Sequence, residues 1–202
     1  MALAWELRYR VKEAHKWLDE YGSATEVIVN HPNLLSIEAR QRAEDEAKFI
    51  QQHRIKYTFF RDSDYPYRLA QCVDAPLVLY SKGNVDINPK HAVSIVGTRM
   101  PSEHSKDWCR RLVLDLAEKV PELTIISGLA YGIDVVAHKA AIEAGIPTII
   151  IPAHGLDRIY PSVHRSVAVQ SLEKGGILTE YIHGTEPERH HFVARNRIIA
   201  GM

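Results

Sequence analysis

In the stretch SIVGTRMPSEHSKDW, from Ser94 to Trp108, a burst of β-branched residues stops at Gly97, and Thr98 and Arg99 follow before a proline, a serine and a helical pattern. Glycine lets main-chain N–H groups approach an anion closely, and a helix starting next adds unsatisfied donors and a favourable dipole. An arginine beside them grips phosphate oxygens in pairs. This is chemistry for holding a phosphate, not for breaking a bond. Two further turns share the form, Ser127-Gly128-Leu129-Ala130-Tyr131-Gly132 and Ala153-His154-Gly155-Leu156-Asp157, and a fourth loop runs from Tyr181 to Arg197. There Arg195 and Arg197 flank Asn196 at a predicted helix start, where two cations are costly unless an anion joins them or water solvates the turn. A glycine that ends a buried strand can also be no more than a turn. Several such turns in one chain favour the anion reading.

Other chemistries lack their residue patterns. No G-x-G-x-x-G follows the first of these apolar runs and no G-x-x-x-x-G-K-[ST] occurs, so dinucleotide binding and P-loop hydrolysis have no fingerprint. Ser127 precedes Gly128 without the G-x-S-x-G elbow of a serine hydrolase. Asp134 and His138, four apart on a helix, share a face; an acid/base pair or half a metal site has that spacing, but so does a structural pair fixing a helix start to its neighbouring loop, which is the reading adopted. His183, His190 and His191 cluster without a suitably spaced carboxylate or cysteine, and Cys72 and Cys109 have no CxxC spacing. The reading therefore assigns no catalytic residue, no metal and no cofactor.

The elements that must position these turns are legible in the hydrophobic pattern. HAVSIVG, LTIISG, PTIIIPA and GILTEY are short, continuous apolar runs, each followed by a helical stretch. Continuous hydrophobicity marks strands buried on both faces, and strands alternating with helices mark a parallel sheet. The fold class expected is α/β: a Rossmann-like, doubly wound, mostly parallel sheet, preceded by a small all-α module. In such sheets ligands sit outside the carboxyl ends of the strands, which is where the four loops fall.

Residues 1–56 read as the helical module. Leu3, Leu7, Val11, Ala14 and Leu18 share one face before Gly22, Ser23 caps a short helix closed by Pro32, and SIEARQRAEDEAKFIQQH is a longer helix. Residues 57–202 read as the sheet domain, with Tyr57 to Lys90 as a turn-rich connector holding one strand at Pro76 to Tyr80. The chain stops at Met202, where such a helix ordinarily crosses back to feed another strand, so this domain is expected to be cut short there. With 46% hydrophobic residues the chain can bury a real core. No eighteen apolar residues run together and no signal-peptide core is visible, so a cytoplasmic protein with no membrane partner is expected. Twenty-five basic residues balance twenty-five acidic ones, so attraction for a polyanion must come from local placement of Lys and Arg.

SIVGTR, ISGLAYGIDVVAHKAAIEAG, IPAHGLDRIYPSVHR, LTEY and FVARNRIIAG, in this order, resemble the DNA processing protein A family, DprA, also called Smf. The resemblance spans Tyr57 to Met202, DSDYPYRLAQCVDAPLVLYSKGN resembling the family's lead-in to its Rossmann-like domain; the amino-terminal helices resemble a sterile-alpha-motif-like or helix-hairpin-helix-like module. It implies a non-enzymatic protein that binds single-stranded DNA and helps load the RecA recombinase on it during natural transformation, displacing single-strand-binding protein. It implies Gly97, Thr98 and Arg99 as a phosphate loop, and Ser127, Gly128 and Gly132 as a second glycine loop. Tyr160 and Pro161 match a Tyr-Pro turn whose next residues approach backbone and bases, and Arg195, Asn196 and Arg197 match an Arg-Asn-Arg corner. Tyr131, Ser162 and His164 stand where basic residues, a lysine and an asparagine are frequent in the family, which makes the pocket less cationic; Tyr131 is then placed to stack on a base. The family's homodimer and RecA contacts lie largely in a continuation past the RNRIIAG helix. The runner-up reading is a nucleotide-processing enzyme akin to the lonely guy phosphoribohydrolases, whose P-G-G-x-G-T-x-x-E run is represented here only by a scattered Gly175-Gly176 and Gly184-Thr185-Glu186.

Overall fold

The computed structural model describes residues 1–202. Helices α1 (Ala2–Glu6), α2 (Val11–Tyr21), α3 (Ala24–Asn30) and α4 (Ile37–His53) come first. Ser23 and Ser36 cap the last two, each hydroxyl accepting an N–H at 3.1 Å, from Glu26 and Ala39. The apolar run from Leu3 to Leu18, expected as one helix, is two. The chain turns after Leu7, and Leu3, Leu7, Ala14 and Leu18 all reach the interior, between 0% and 3% exposed. They pack with Val27 and Ile50 against Leu77, Val78, Tyr80 and Ile182, so the helices and the sheet share one core.

The sheet has six strands, β1 (Lys56–Phe59), β2 (Val78–Gly83), β3 (His91–Ser94), β4 (Leu123–Ser127), β5 (Thr148–Ile150) and β6 (Gly176–Thr179), in the spatial order β1-β2-β6-β5-β4-β3. Strands β3 to β6 are the four expected runs and pair in parallel; β2 lies antiparallel to β6, and β1 to β2. The tract from Tyr57 to Lys90 is thus no mere connector, since both antiparallel strands fall in or at the edge of it. β1 has only four residues, too few for alternation to show, and its surroundings are dense in Asp and Pro.

Between successive parallel strands run α5 (Glu103–Lys119), α6 (Ile133–Glu143) and α7 (Arg165–Lys174), and α8 (Arg189–Gly201) follows β6. Three crossovers stepping the same way along the sheet put α5, α6 and α7 on one face. Leu123, Ile125, Ile150 and Ile177 point to them. Ile126, Ile149, Ile151 and Leu178 point to the other face, where α8 and the 3-10 turn Leu69–Gln71 close the core. The sheet is covered on both sides, which holds its carboxyl-end loops rigidly over the strands. No helix is long and apolar enough to cross a membrane.

His138 of α6 ties that helix to the sheet. It is wholly buried, and its Nε2 bonds the Gly128 carbonyl while Nδ1 lies 2.7 Å from the Thr148 hydroxyl. The carbonyl can only accept, so Nε2 carries the hydrogen, and Nδ1 of the neutral ring faces the Thr148 hydroxyl, which also reaches the Ile125 carbonyl at 2.9 Å. Burial drives the His138 pKa down to about 4, which keeps this tautomer neutral. An unfolded chain protonates the same histidine near pH 6.5. Its contribution to stability is therefore complete above pH 6.5 and is lost as pH falls from there to about 4. Over that window the loss is up to ~3 kcal/mol. His138→Gln keeps an N–H for Gly128 and does not titrate, so its urea-unfolding free energy is expected to fall less steeply than the parent's between pH 6.5 and 4; parallel pH profiles would contradict this assignment.

Candidate functional site

At the carboxyl edge of the parallel strands, the loops after β3, β4 and β5 are bound to one another before any ligand is considered. Asp134, in the first turn of α6 and 4% exposed, faces the backbone of Gly97 in the β3 loop and of Ala130 in the β4 loop, both of which favour its charged form. Ile133 N–H donates to Thr98 O at 3.2 Å. Gly132, at φ +85°, leaves room for that crossing: a Cβ there would lie 2.1 Å from Thr98 O. On Gly128 a Cβ would lie 1.9 Å from Nη1 of Arg195. The space beneath these glycines, expected to admit an anion, is filled by the chain itself.

Arg195 fills the part at Gly128. It is 2% exposed, bonds the Ile151 carbonyl at the end of β5 through Nη1, and places Nη2 3.8 Å from the Asp134 carboxylate. Burial pushes the Asp134 carboxyl up and the nearby Arg195 cation opposes this; the guanidinium itself stays charged. Arg195 thus braces the loops from below and its charge is already partnered. Nor does it open a helix, as expected: α8 begins six residues earlier, at Arg189. Residues two apart on a helix diverge by about 200°, so Arg195 and Arg197 face opposite ways. Arg197 leaves the loops altogether and pairs with Glu180 at 2.6 Å and Asp74 at 3.6 Å, while Asn196 between them is exposed. The expected Arg-Asn-Arg corner does not gather round one anion.

The other predicted residues divide in the same manner. Ser127 is buried, its hydroxyl donating to Ile95 O at 2.5 Å. His164 is also buried, not facing solvent as expected, and its Nδ1 donates to Leu129 O at 2.9 Å, which pins the β4 loop. His154, beneath the Tyr160–Pro161 turn, donates from Nδ1 to Gly155 O at 2.7 Å and accepts Tyr160 N–H on Nε2 at 3.1 Å. Pro161 is buried. What reaches solvent at this edge is Gly97, Thr98, Arg99, Tyr131, Tyr160 and Ser162.

Phe192, missed in the sequence reading, joins these exposed groups to the floor. The Arg99 guanidinium lies 4.8 Å above its ring, that of Arg195 6.0 Å away, and the Tyr160 ring meets its edge at 6.0 Å. Its signal was present: Phe192 precedes Arg195 by three residues, one turn along the same helix face. Tyr131, half exposed, rests edge-on against His164 at 5.1 Å. The result is an open shelf with one unpaired guanidinium and three aromatic rings. Of the histidines once weighed as metal ligands, His183 is bound to Glu46 of α4, and His191 donates to Glu186 O at 2.9 Å.

The family model of the DNA recombination-mediator protein A matches residues 56–202. The chain is 40% identical over 162 residues to the protein Smf of Synechocystis, covering 77% of this chain and 40% of that protein. It is 39% identical over 141 residues to the DNA processing protein DprA of Streptococcus pneumoniae, covering 70% of this chain and 49% of the relative. The chain thus spans less than half the length of either. Among solved structures, DNA processing protein A of Streptococcus pneumoniae superposes with a TM-score of 0.69 at 35% identity, over 82% of this chain and 57% of that one. The Helicobacter pylori protein of the same name, described by its single-stranded DNA binding mode, gives 0.63 at 31% identity, over 72% and 65%. With a match that begins at β1 and runs through every loop of the carboxyl edge, the chain belongs to the DNA recombination-mediator protein A family, DprA/Smf.

Proposed function

We propose that this chain binds single-stranded DNA on the shelf at the carboxyl edge of its parallel sheet. The observation that carries the reading is Arg99: an exposed guanidinium in no ion pair, held over the Phe192 ring beside the exposed backbone of Gly97 and Thr98. A cation held on an aromatic face keeps its outward N–H groups free for a phosphate. Tyr131 and Tyr160 beside it offer faces on which unpaired bases stack whatever their sequence. Because net charge is zero, attraction is local and screened beyond about 8 Å at physiological salt.

Residue by residue, the proposal divides the predicted set by role. Gly97, Thr98 and Arg99 meet phosphate, and Tyr131, Tyr160 and Ser162 meet bases or sugar. Ser127, Gly128, Gly132, Pro161, His164 and Arg195 position the loops, and Asn196 and Arg197 lie off the shelf. The membership of the family and the binding mode described for the Helicobacter pylori protein support the nucleic-acid reading over a free-nucleotide enzyme. For the enzyme reading no observation speaks: Gly175 and Gly176 sit at the amino end of β6, packed on Thr148 and Lys82, at the edge opposite the shelf. Handing the strand to RecA in natural transformation, a homodimer in a longer chain and a cytoplasmic setting are proposed on the family resemblance alone.

Two substitutions separate the roles. Arg99→Ala is expected to weaken all oligonucleotide sequences alike and to flatten the log–log salt dependence of affinity by about 0.7, the share of one single-strand phosphate contact. Fluorescence anisotropy titrations across a salt series measure both, and an unchanged slope would count against the phosphate role. Tyr131→Ala removes a stacking face without a charge, so affinity is expected to drop by roughly 1–3 kcal/mol with the salt slope intact. A variant that binds as tightly as the parent would remove Tyr131 from the shelf.

A further inference from the structure

Across α8 from Arg195 lies a groove of about 980 Å³, walled by α1 and its following turn on one side and by α8 on the other, with the β6 loop from Glu180 to Glu188 along its floor and rim. Two of its carboxylates are engaged by guanidinium groups, Glu180 with Arg197 and Glu186 with Arg158, and the third, Glu188, lies 3.5 Å from His190. Of its cations Arg197 is engaged with Glu180, and three others are not. Arg8, Arg42 and Arg189 line the groove and take part in no ion pair, and Glu6, on the helix that precedes Arg8, is turned to the Ser36 hydroxyl at 2.7 Å.

Two of these cations are gathered on one ring. The Arg8 guanidinium sits 4.0 Å from the Trp5 centroid and 4.9 Å from that of Tyr9, and Arg42 sits 5.1 Å from Trp5. Arg42 is also fixed by donating to His183 O at 2.7 Å, and Arg8 by bonding Trp5 O at 2.6 Å. Each aromatic contact returns only about 0.5–2 kcal/mol and leaves both charges without a counter-ion. An anion seated in the groove supplies that counter-charge. Opposite stands Arg189 in the first turn of α8, where no side chain caps the free N–H groups. The remaining walls are apolar and aromatic, with Tyr9 and Tyr181 among them.

Anionic groups spaced along a ligand that also carries flat rings match this lining. The groove opens on the same carboxyl edge as the shelf, and adjacent residues of α8, Phe192 and Val193, face the one and the other. We infer that the groove receives the continuation of the strand held at Arg99, a phosphate seated among Arg8, Arg42 and Arg189 with its base against Tyr9 or Tyr181. This rests on the single-stranded DNA reading above and adds the amino-terminal helices to the binding surface.

Strand length tests it. Arg8 and Arg189 are exposed, so an R8Q/R189Q double variant is expected to fold as the parent does. On oligothymidine of roughly 4 nucleotides, enough for the shelf, the variant is expected to match the parent; on roughly 16 nucleotides it is expected to lose affinity and to show a salt slope lower by about 0.7, the share of the one phosphate seated there. In ¹H–¹⁵N spectra the Trp5 indole resonance, assigned with Trp5→Phe, is expected to move with the long strand and not with the short one. A parent and variant alike in affinity and slope on the long strand overturn the inference, as does a Trp5 resonance moved by a polyglutamate peptide but not by long DNA. A parent that binds neither length fails the earlier reading, and this one falls with it.

Discussion

The pairing of Arg195 with Asp134 under the carboxyl-end loops is the contact on which the rest of the edge depends. Each group is buried, and a lone charge there would cost several kcal/mol. Together they bridge elements that are distant in sequence. Asp134 draws in the backbone of Gly97 and Ala130, while Arg195 draws in the end of β5 at Ile151 and lies flat on Gly128. His138, one turn further along α6, holds the carbonyl of the same Gly128. Loops after three strands are thereby set at fixed heights above the sheet by polar groups that never reach solvent.

That arrangement changes what the conspicuous residues do. Glycines that resemble a phosphate cradle make room for loop-on-loop packing, and an arginine that resembles a phosphate clamp is a brace. The surface left over is small, with Arg99 as its unpaired cation and Phe192, Tyr160 and Tyr131 as its rings. In a chain of zero net charge, such a shelf gains more from stacking than from long-range attraction, which suits a ligand whose bases are unpaired. The groove beyond α8 repeats the theme with Trp5 in the place of Phe192: guanidinium groups laid on an aromatic face and left without carboxylates.

Four parallel strands, their following helices and the caps at Ser23 and Ser36 were legible from the amino-acid order, because burial on both faces and helix capping are written in neighbouring residue types. So was the gathering of the four loops at one edge, since parallel strands deliver their loops there. β1 and the break after Leu7 were not, because four-residue pieces carry no readable period. Which polar groups face solvent was decided only by tertiary structure. Arg195, Arg197 and His164 look alike in a sequence, and their partners Asp134, Glu180 and Leu129 lie 61, 17 and 35 positions away. Whether a charge is free to meet a ligand depends on what the fold brings within a few ångströms of it, and local pattern holds no record of that.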